Sequence, residues 1–351
     1  MLSYRVPYLV LLLLLAFMTV TTVRGGGSVV VLTNQFIAPV LAIVLVWLAG
    51  QRGKGAVRFI ALSAIAVGAI EATTGLLEYA ASSYLFYVDF NAAEYAWYFP
   101  GVFDRPVGLT GHALVLGFAC SAAIPLLVQV RRPMLQVGLA VLLTAGTLAS
   151  QTRLSLAVAF IGLAYVVVRS HLPLIGRAIV VTSSVIGVVY LVAVAESIPA
   201  FQRMNLNDGS AKVRWVAYEW FIANWQSIPV DGVGIGRSYD VARSAGVMSS
   251  FESSIIQLIV DVGAPVALAF SMALIWLLLS RHKEQRLRGT LPAALLGIVL
   301  TTTFSSLSNM TLVGPLMFVL IGLGVAGLCE PTPVKGVLAT SRSSFSEART
   351  P

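Results

Sequence analysis

Charged residues are scarce in this chain of 351 residues. Asp, Glu, Lys and Arg make up 11% of it, and hydrophobic residues make up 58%. A soluble domain carries roughly 25% charged residues, so the composition excludes an ordinary soluble domain and predicts a polytopic membrane protein. Apolar runs of about 20 residues suit transmembrane helices, because each helix satisfies its own backbone hydrogen bonds. The expected fold class is therefore all-α, a membrane-spanning helical bundle.

Cysteine is nearly absent, and the basic residues do not form a separate domain. Cys120 lies within one apolar run and Cys329 at the end of another, so we predict neither a disulfide nor a metal site. The formal net charge is +8, but the Lys and Arg residues lie between apolar runs, which argues against nucleic acid as a partner. No internal repeat stands out, whereas an inverted-repeat transporter would be expected to show paired broken helices.

Apolar segments of transmembrane length follow one another along the chain. The ten predicted spans are residues 6–23, 28–50, 58–80, 112–130, 134–151, 154–169, 177–195, 254–280, 290–307 and 311–329. The first segment could be a signal peptide, but it has no small-x-small cleavage pattern, which favours a retained helix. We predict a single integral membrane domain over residues 1–329 and a disordered cytoplasmic tail over residues 330–351.

Fifteen of the 23 Lys and Arg residues lie in four alternate loops, at Arg5 or in the C-terminal tail. The loops after predicted spans two, four, six and eight read QRGKGAVR, VRRP, RSHLPLIGR and SRHKEQRLR, and the positive-inside rule makes them cytoplasmic, together with both termini. The outer side then holds two long loops, residues 81–111 and 196–253. Its basic residues are Arg24, Arg105, Arg153, Arg203, Lys212, Arg214, Arg237 and Arg243. They either pair with carboxylates of the same side, at about 0–1 kcal/mol per surface pair, or bind an anion.

The second long loop is predicted to contain an amphipathic helix. Its apolar face, at i, i+3, i+4, i+7 and i+8, consists of Val213, Val216, Ala217, Trp220 and Phe221. Asp208 or Ser210 would cap the helix, which would lie along the membrane surface with its tryptophans at headgroup depth. It is either a lid without chemistry or an anion site, since Lys212 and Arg214 stand near its start, where backbone N–H groups point outwards.

Three alternating glycines follow in the sequence IPVDGVGIGR: Gly232, Gly234 and Gly236. Glycines at this spacing allow turns and close backbone approach. A phosphate cradle is the alternative, although the strand–helix context of a nucleotide loop is missing. The pattern favours a simple turn.

Two other outer residues stand at predicted helix starts. His112, in FDRPVGLTGHALVLG, is the only histidine on the outer side, and it is either a hydrogen-bonded structural residue or a catalytic one. Arg153 lies in the short turn between predicted spans five and six. An arginine in that place is costly unless an anion meets it.

Three carboxylates fall inside predicted spans, where ionisable groups are functional candidates by default. Glu71 and Glu78 are seven residues apart and lie near one helix face. Glu78 is close enough to the outer end to be interfacial. Glu71 either pairs with an outer arginine or takes part in transport, and Asp261 has the same two alternatives.

Four stretches, in this order, resemble the O-antigen ligase and O-antigen polymerase superfamily of bacterial membrane proteins. They are RPVGLTGHALVLG, SQTRLSLAVAFIGLAYVVV, SAKVRWVAYEWFIANWQSIPVDGVGIG and FESSIIQLIVDVGAPVALAF, which together cover about residues 101–280. The family patterns they are similar to are R-x-x-G-x-x-x-(H/N), T-x-S-R-x-x-x-L, S-x-x-x-R-x-x-x-W/Y followed by P-x-x-G-x-G, and H/E-N-x-x-L followed by G-x-x-G. The flanking helices match only as apolar runs.

The resemblance implies glycosyl transfer at the outer face of the bacterial inner membrane. The donor would be a glycan on undecaprenyl diphosphate, with no metal, nucleotide sugar or other cofactor. By matching position, Arg153 and Arg214 would bind the lipid diphosphate and favour its departure, with Arg105 as a weaker match. The further candidates for substrate or diphosphate binding are His112, Arg203, Lys212 and Arg237. The implied partners are the lipid bilayer, the lipid-linked glycan and a chain-length regulator membrane protein.

One position departs from the ligase pattern. Ligases carry a histidine where this chain has Glu252, and a carboxylate can also take a proton from a sugar hydroxyl. The departure favours a polymerase, which joins repeat units, over a ligase, which moves finished glycan to lipid A-core or protein. Glu252 would be the catalytic base or would orient the acceptor; a salt bridge to an outer arginine and helix capping are the alternatives. A transporter of lipid-linked sugars and a non-catalytic scaffold remain as other classes.

Overall fold

The computed structural model describes residues 6–86, 105–170, 172–194, 209–247, 250–251, 253–279, 287–302 and 313–326. These ranges contain helices and turns but no β-strand, which confirms the all-α prediction for the described part of the chain. The helices are, in chain order, α1 Val6–Arg24, α2 Val29–Gln51, α3 Lys54–Ala81, α4 Ala113–Ala123, α5 Pro133–Ala149, α6 Arg153–Arg169, α7 Leu174–Val194, α8 Gly209–Asn224, α9 Ser238–Ser244, α10 Ser254–Val262, α11 Ala264–Leu279, α12 Thr290–Thr301 and α13 Val313–Val325.

Each predicted apolar segment overlaps at least one of these helices. The predicted span at residues 254–280 is divided into α10 and α11 at Gly263, whose φ of +82° only glycine adopts readily. Within the described ranges, two helices, α2 and α3, are long and apolar enough to cross a membrane. The number of membrane spans therefore stays a prediction. The tail at residues 330–351 lies outside the described residues, as do residues 87–104 and 195–208 of the two long loops.

Helix α4 lies at the centre of the bundle. All of its side chains except that of Leu114 are buried, and it packs against α3, α5, α6 and α12. Its sequence is apolar or small on every face, which is typical of a helix enclosed by others. Glycines let α3 approach it closely: a Cβ at Gly75 would come within 2.6 Å of the Leu116 side chain.

Loop contacts define one end of the bundle, the Gln129 end. The Gln129 carbonyl, just after α4, accepts a hydrogen bond from Arg58 at the start of α3 (3.0 Å), and the Gln129 amide donates to the Arg288 carbonyl. The hydroxyl of Tyr165, near the end of α6, accepts the Gly289 N–H just before α12 (3.0 Å). Helices α4 and α6 therefore finish where α3 and α12 begin.

The opposite end, the His112 end, contains the starts of α4 and α6, at His112 and Arg153. Helix α10 begins there too, since Ser254 Oγ donates to the carbonyl of Thr301 at the finish of α12 (2.7 Å). The bundle thus places the Arg-rich loops after predicted spans two, four and six at the Gln129 end, away from these residues. The side of a membrane that each end faces stays a prediction.

A second, smaller core forms between α8, α9 and α10. Ala217 of α8 is fully buried in it, and the rings of Trp220 and Phe251 pack with their centroids 5.0 Å apart. The predicted amphipathic helix is therefore confirmed as α8. Two details were wrong: Val216 is 38% exposed instead of facing this core, and Ser210 lies inside the helix instead of capping it. The other predicted cap, residue 208, lies outside the described residues.

Candidate functional site

The turn before α6 packs directly against α4. A Cβ at Gly117 of α4 would lie 2.3 to 2.8 Å from the side-chain oxygens of Thr152, Ser150 and Ser155, so this contact requires glycine. The Ser150 and Thr152 hydroxyls are hydrogen-bonded to each other at 2.8 Å. The stretches RPVGLTGHALVLG and SQTRLSLAV are therefore neighbours at the His112 end. Arg153, the first residue of α6, presents an exposed side chain beside them.

His112 is the N-cap of α4. Its Nδ1 accepts the backbone N–H of Leu114 at 3.1 Å, which satisfies one of the unpaired N–H groups of the first helical turn. An imidazole that accepts through Nδ1 carries its hydrogen on Nε2. The contact favours the structural alternative for His112, because the ring nitrogen that could take a proton is already occupied.

Glu78 fixes the segment that carries Arg105 and His112. The side chain is fully buried at the end of α3. Oε2 accepts the N–H groups of Val107 and Gly108, both at 2.8 Å, and Oε1 accepts the Leu85 N–H at 3.1 Å. Three backbone donors replace the water that a buried carboxylate loses. Glu78 therefore has a structural role: it ties both ends of the first long loop to α3.

We expect Glu78→Gln to lower the free energy of unfolding by about 1–3 kcal/mol, because the amide turns an NH₂ group towards backbone donors and leaves them buried and unpaired. Thermal unfolding of the purified protein in detergent measures this effect. Glu219→Gln is the matched control, since Glu219 is exposed on α8. Equal melting temperatures for the two variants would contradict the anchoring role.

Glu71 lies against the same segment, two helical turns before Glu78. The backbone N–H groups of Leu109 and Thr110 lie next to its carboxylate, and a Cβ at Gly108 would come within 2.5 Å of Oε2. Gly108 has a φ of +63°, so this close approach requires glycine. The Glu71 carboxylate therefore lies against the backbone of residues 108–110. It contacts this turn instead of pairing with an arginine, as one of the two alternatives had predicted.

The glycine-rich loop at residues 229–237 is bound to the end of α10. The N–H groups of Val233 and Gly234 donate to the carbonyls of Val260 and Asp261, at 2.9 and 3.0 Å. The Asp261 side chain completes the contact, since Oδ1 accepts the N–H of Ser238 at the start of α9 (2.9 Å). Asp261 therefore links the loop to α10, a role that neither predicted alternative, arginine pairing or transport, had described.

The three alternating glycines form a turn. Gly232, Gly234 and Gly236 have φ values of +76°, +102° and +87°, which L side chains rarely adopt. The N–H of Gly232 donates to the Pro229 carbonyl at 2.9 Å. Because the amides of residues 232, 233 and 234 already donate to protein carbonyls, these three are not free to form a cradle around a phosphate, and the loop forms the simple turn.

We expect Gly232→Ala to destabilise the protein by about 1–3 kcal/mol, since its Cβ would lie 2.3 Å from the Asp261 carbonyl oxygen in addition to the strain of a positive φ. The matched control is Gly246→Ala, at φ +70° with open space around the added carbon. Thermal unfolding should show a clearly larger loss for Gly232→Ala. Equal losses would mean that the backbone contact with α10 does not hold the loop.

The other side of the loop meets the turn between α1 and α2. The Ser28 N–H donates to the Ile235 carbonyl at 2.9 Å, and Arg237 Nη1 donates to the Gly25 carbonyl at 3.0 Å. A cleft of about 560 Å³ opens beside this contact. Its lining consists of Gly25, Val233, Arg237, Asp240, Val241 and Ser244. Arg237 is exposed in this cleft, where an anion can reach it.

The remaining predicted site residues are described to different extents. Arg105 and Arg214 are half-buried. Lys212 lies in the first turn of α8, and its side chain is not described. Glu252 and Arg203 lie outside the described residues.

Sequence reasoning missed two kinds of residue. It gave no anchoring role to Glu78 and Asp261, although a carboxylate near a helix end was a visible signal. It also passed over Gln257 in α10 and Ser253, the N-cap of that helix, although an amide inside an apolar run is unusual. Within the described ranges, no three His, Cys, Asp or Glu side chains lie close enough to hold a metal ion. No family model, curated protein or solved structure matches the chain.

Proposed function

We propose that this chain is a polysaccharide polymerase of the O-antigen, capsule or exopolysaccharide type, in the bacterial inner membrane. It would form a bundle of about ten transmembrane helices with both termini in the cytoplasm. A growing glycan on undecaprenyl diphosphate would be transferred to the sugar of a lipid-linked repeat unit at the outer face.

The observation that carries this proposal is the proximity of the four resembling stretches. The first two meet at Gly117, and the last two are joined by the backbone hydrogen bonds of Val233 and Gly234. Helix α12 links the two pairs, because it packs on α4 and α6 and its finish binds Ser254 at the start of α10. A single substrate could therefore contact all four at the His112 end.

Exposed apolar side chains support the membrane setting. Leu13, Leu45 and Ile186 are 62%, 65% and 61% exposed on the outward faces of α1, α2 and α7. Soluble proteins rarely present large continuous apolar surfaces to water. Trp215 and Trp225, at and after α8, are 65% and 58% exposed, as expected for tryptophans at the level of lipid headgroups.

In the proposed reaction, a hydroxyl oxygen of the acceptor sugar attacks the anomeric carbon of the donor glycan. The bond from that carbon to the diphosphate oxygen breaks, undecaprenyl diphosphate leaves with the electron pair, and Glu252 takes the hydroxyl proton. Arg153 and Arg214, with Arg105, would bind the diphosphate and stabilise the charge that develops on the leaving oxygen. Arg105 and Arg214 are half-buried, which suits this role, because an interaction with an anion is stronger away from bulk water.

A deletion strain tests the proposal through its lipid-linked glycans. Accumulation of single lipid-linked repeats is the expected result. Accumulation of long lipid-linked polymer would instead indicate a ligase, which transfers finished glycan to lipid A-core or protein. Purified protein in liposomes tests the transporter class: elongation of the glycan without movement across the bilayer excludes transport, and movement without elongation would overturn the polymerase.

A further inference from the structure

Helix α10 and its N-cap carry two buried polar side chains without hydrogen-bond partners. Gln257 is 3% exposed and Ser253 is 1% exposed. Neither Nε2 nor Oε1 of Gln257 has a partner in the described part of the protein, and the same holds for Ser253 Oγ. The two residues are neighbours through the backbone at the start of one helix: Ser253 is the N-cap, and its carbonyl accepts the Gln257 N–H at 3.0 Å.

Two other buried polar side chains of α10 are satisfied. Ser254 donates to the Thr301 carbonyl at 2.7 Å, and Asp261 accepts the Ser238 N–H at 2.9 Å. A second buried glutamine, Gln136 on α5, is also 3% exposed, and its Nε2 donates to the Leu127 carbonyl at 3.0 Å. Leaving an amide buried and unpaired is costly, so the Ser253–Gln257 pair calls for a bound group that supplies the missing hydrogen bonds.

The chemistry of the pair indicates what that group is. An amide offers two donor hydrogens and an acceptor oxygen, and a serine hydroxyl both donates and accepts. Both side chains are neutral, so they match hydroxyl groups better than they match a diphosphate. Neighbouring hydroxyls on a sugar ring present donors and acceptors at the spacing that such a pair can meet.

The position of the pair indicates which sugar would bind. Ser253 directly follows Glu252, the residue proposed to take the acceptor proton. On the other side of Glu252, Phe251 packs its ring on Trp220 of α8, the helix that carries Arg214. The pair therefore begins directly after the proposed base in the sequence, and α10 shares its small core with the proposed diphosphate-binding helix.

We propose that Ser253 and Gln257 form the acceptor-sugar subsite, in which they bind hydroxyl groups of the lipid-linked repeat next to the hydroxyl that attacks. This inference rests on the proposed polymerase function. The pair orients the acceptor, which favours reaction by holding the attacking oxygen near the anomeric carbon, and it takes no part in proton transfer.

The test compares Gln257→Leu with the matched control Gln136→Leu in the purified full-length protein. Single lipid-linked repeats extracted from the deletion strain serve as acceptor, and lipid-linked polymer serves as donor. For Gln257→Leu we expect the KM for the acceptor to rise about tenfold, equivalent to about 1.4 kcal/mol, with the KM for the donor within about twofold of the wild-type value. Gln136→Leu should lower the melting temperature and leave both KM values unchanged.

A second variant and a binding measurement keep the inference testable. Ser253→Ala should also raise the KM for the acceptor selectively, and it decides the question if Gln257→Leu does not fold. An unchanged KM for the acceptor, or equal increases for donor and acceptor, would overturn the subsite. A wild-type protein that binds single repeats without elongating them would overturn the polymerase instead. In that case the affinities of the wild type and Gln257→Leu for those repeats decide on the subsite alone, with a tenfold loss supporting it and equal affinities overturning it.

Discussion

Arg214→Ala should stop elongation and make single lipid-linked repeats accumulate, with the initial rate lowered at least about 100-fold. Each charge-assisted hydrogen bond from arginine to phosphate contributes roughly 1.5–3 kcal/mol. A guanidinium that binds the diphosphate through two such bonds would contribute about 3 kcal/mol or more, which corresponds to this change in rate. Gel analysis of lipid-linked glycans in a complemented deletion strain, together with rates from purified protein, measures the effect.

The matched control is Arg243→Ala. Arg243 lies in the same long loop as Arg214, but it is exposed on α9. It lies outside the four stretches that resemble the family. Both variants remove one positive charge, so a difference between them separates local binding from the general charge of this side. Arg214→Lys should recover part of the activity, since lysine keeps the charge but loses the bidentate geometry. Normal polymer from Arg214→Ala would remove Arg214 from the site.

The positions of the helices could be predicted from the sequence, because apolar runs of this length have few other ways to satisfy their backbone. The division of one predicted span at Gly263 was missed, although Gly263 with Pro265 two residues later is a local signal for the end of a helix. The tertiary contact at this point could not be predicted: the loop at Val230 approaches so closely that a Cβ at Gly263 would lie 1.9 Å from the Val230 carbonyl oxygen. That contact joins residues over 30 positions apart and follows from no local pattern.

The same limit applies to the candidate site. A cap at His112 follows from its place before a helix, and the structure shows it. The role of Glu78 depends on Val107 and Gly108, which lie about 30 positions away near the far end of the first long loop, so no local pattern shows that it anchors them. Val216 follows the helical period yet faces outwards, because the small core under α8 is narrower than the predicted apolar face.

Glu252→Gln should lower the rate of elongation by about 10²–10⁴, the range in which general-base catalysis contributes, and should change the shape of its pH profile. In the wild type, protonation of the carboxylate at low pH removes the base, so the rate falls as the pH is lowered. Glutamine keeps the shape of the side chain and has no group to titrate. The residual rate of the variant should therefore lack this acidic fall, which initial rates across the acid and neutral range will measure.

The profile also separates the other roles of Glu252. Ser253 and not Glu252 is the N-cap of α10. If the carboxylate only interacts with the positive end of the helix or pairs with an arginine, Glu252→Gln should lose stability while its rate still falls at low pH. Glu219→Gln, with the same substitution on an exposed part of α8, should retain the wild-type profile. An acidic fall that persists in Glu252→Gln would therefore assign the proton transfer to another group and leave Glu252 as a structural residue at the start of α10.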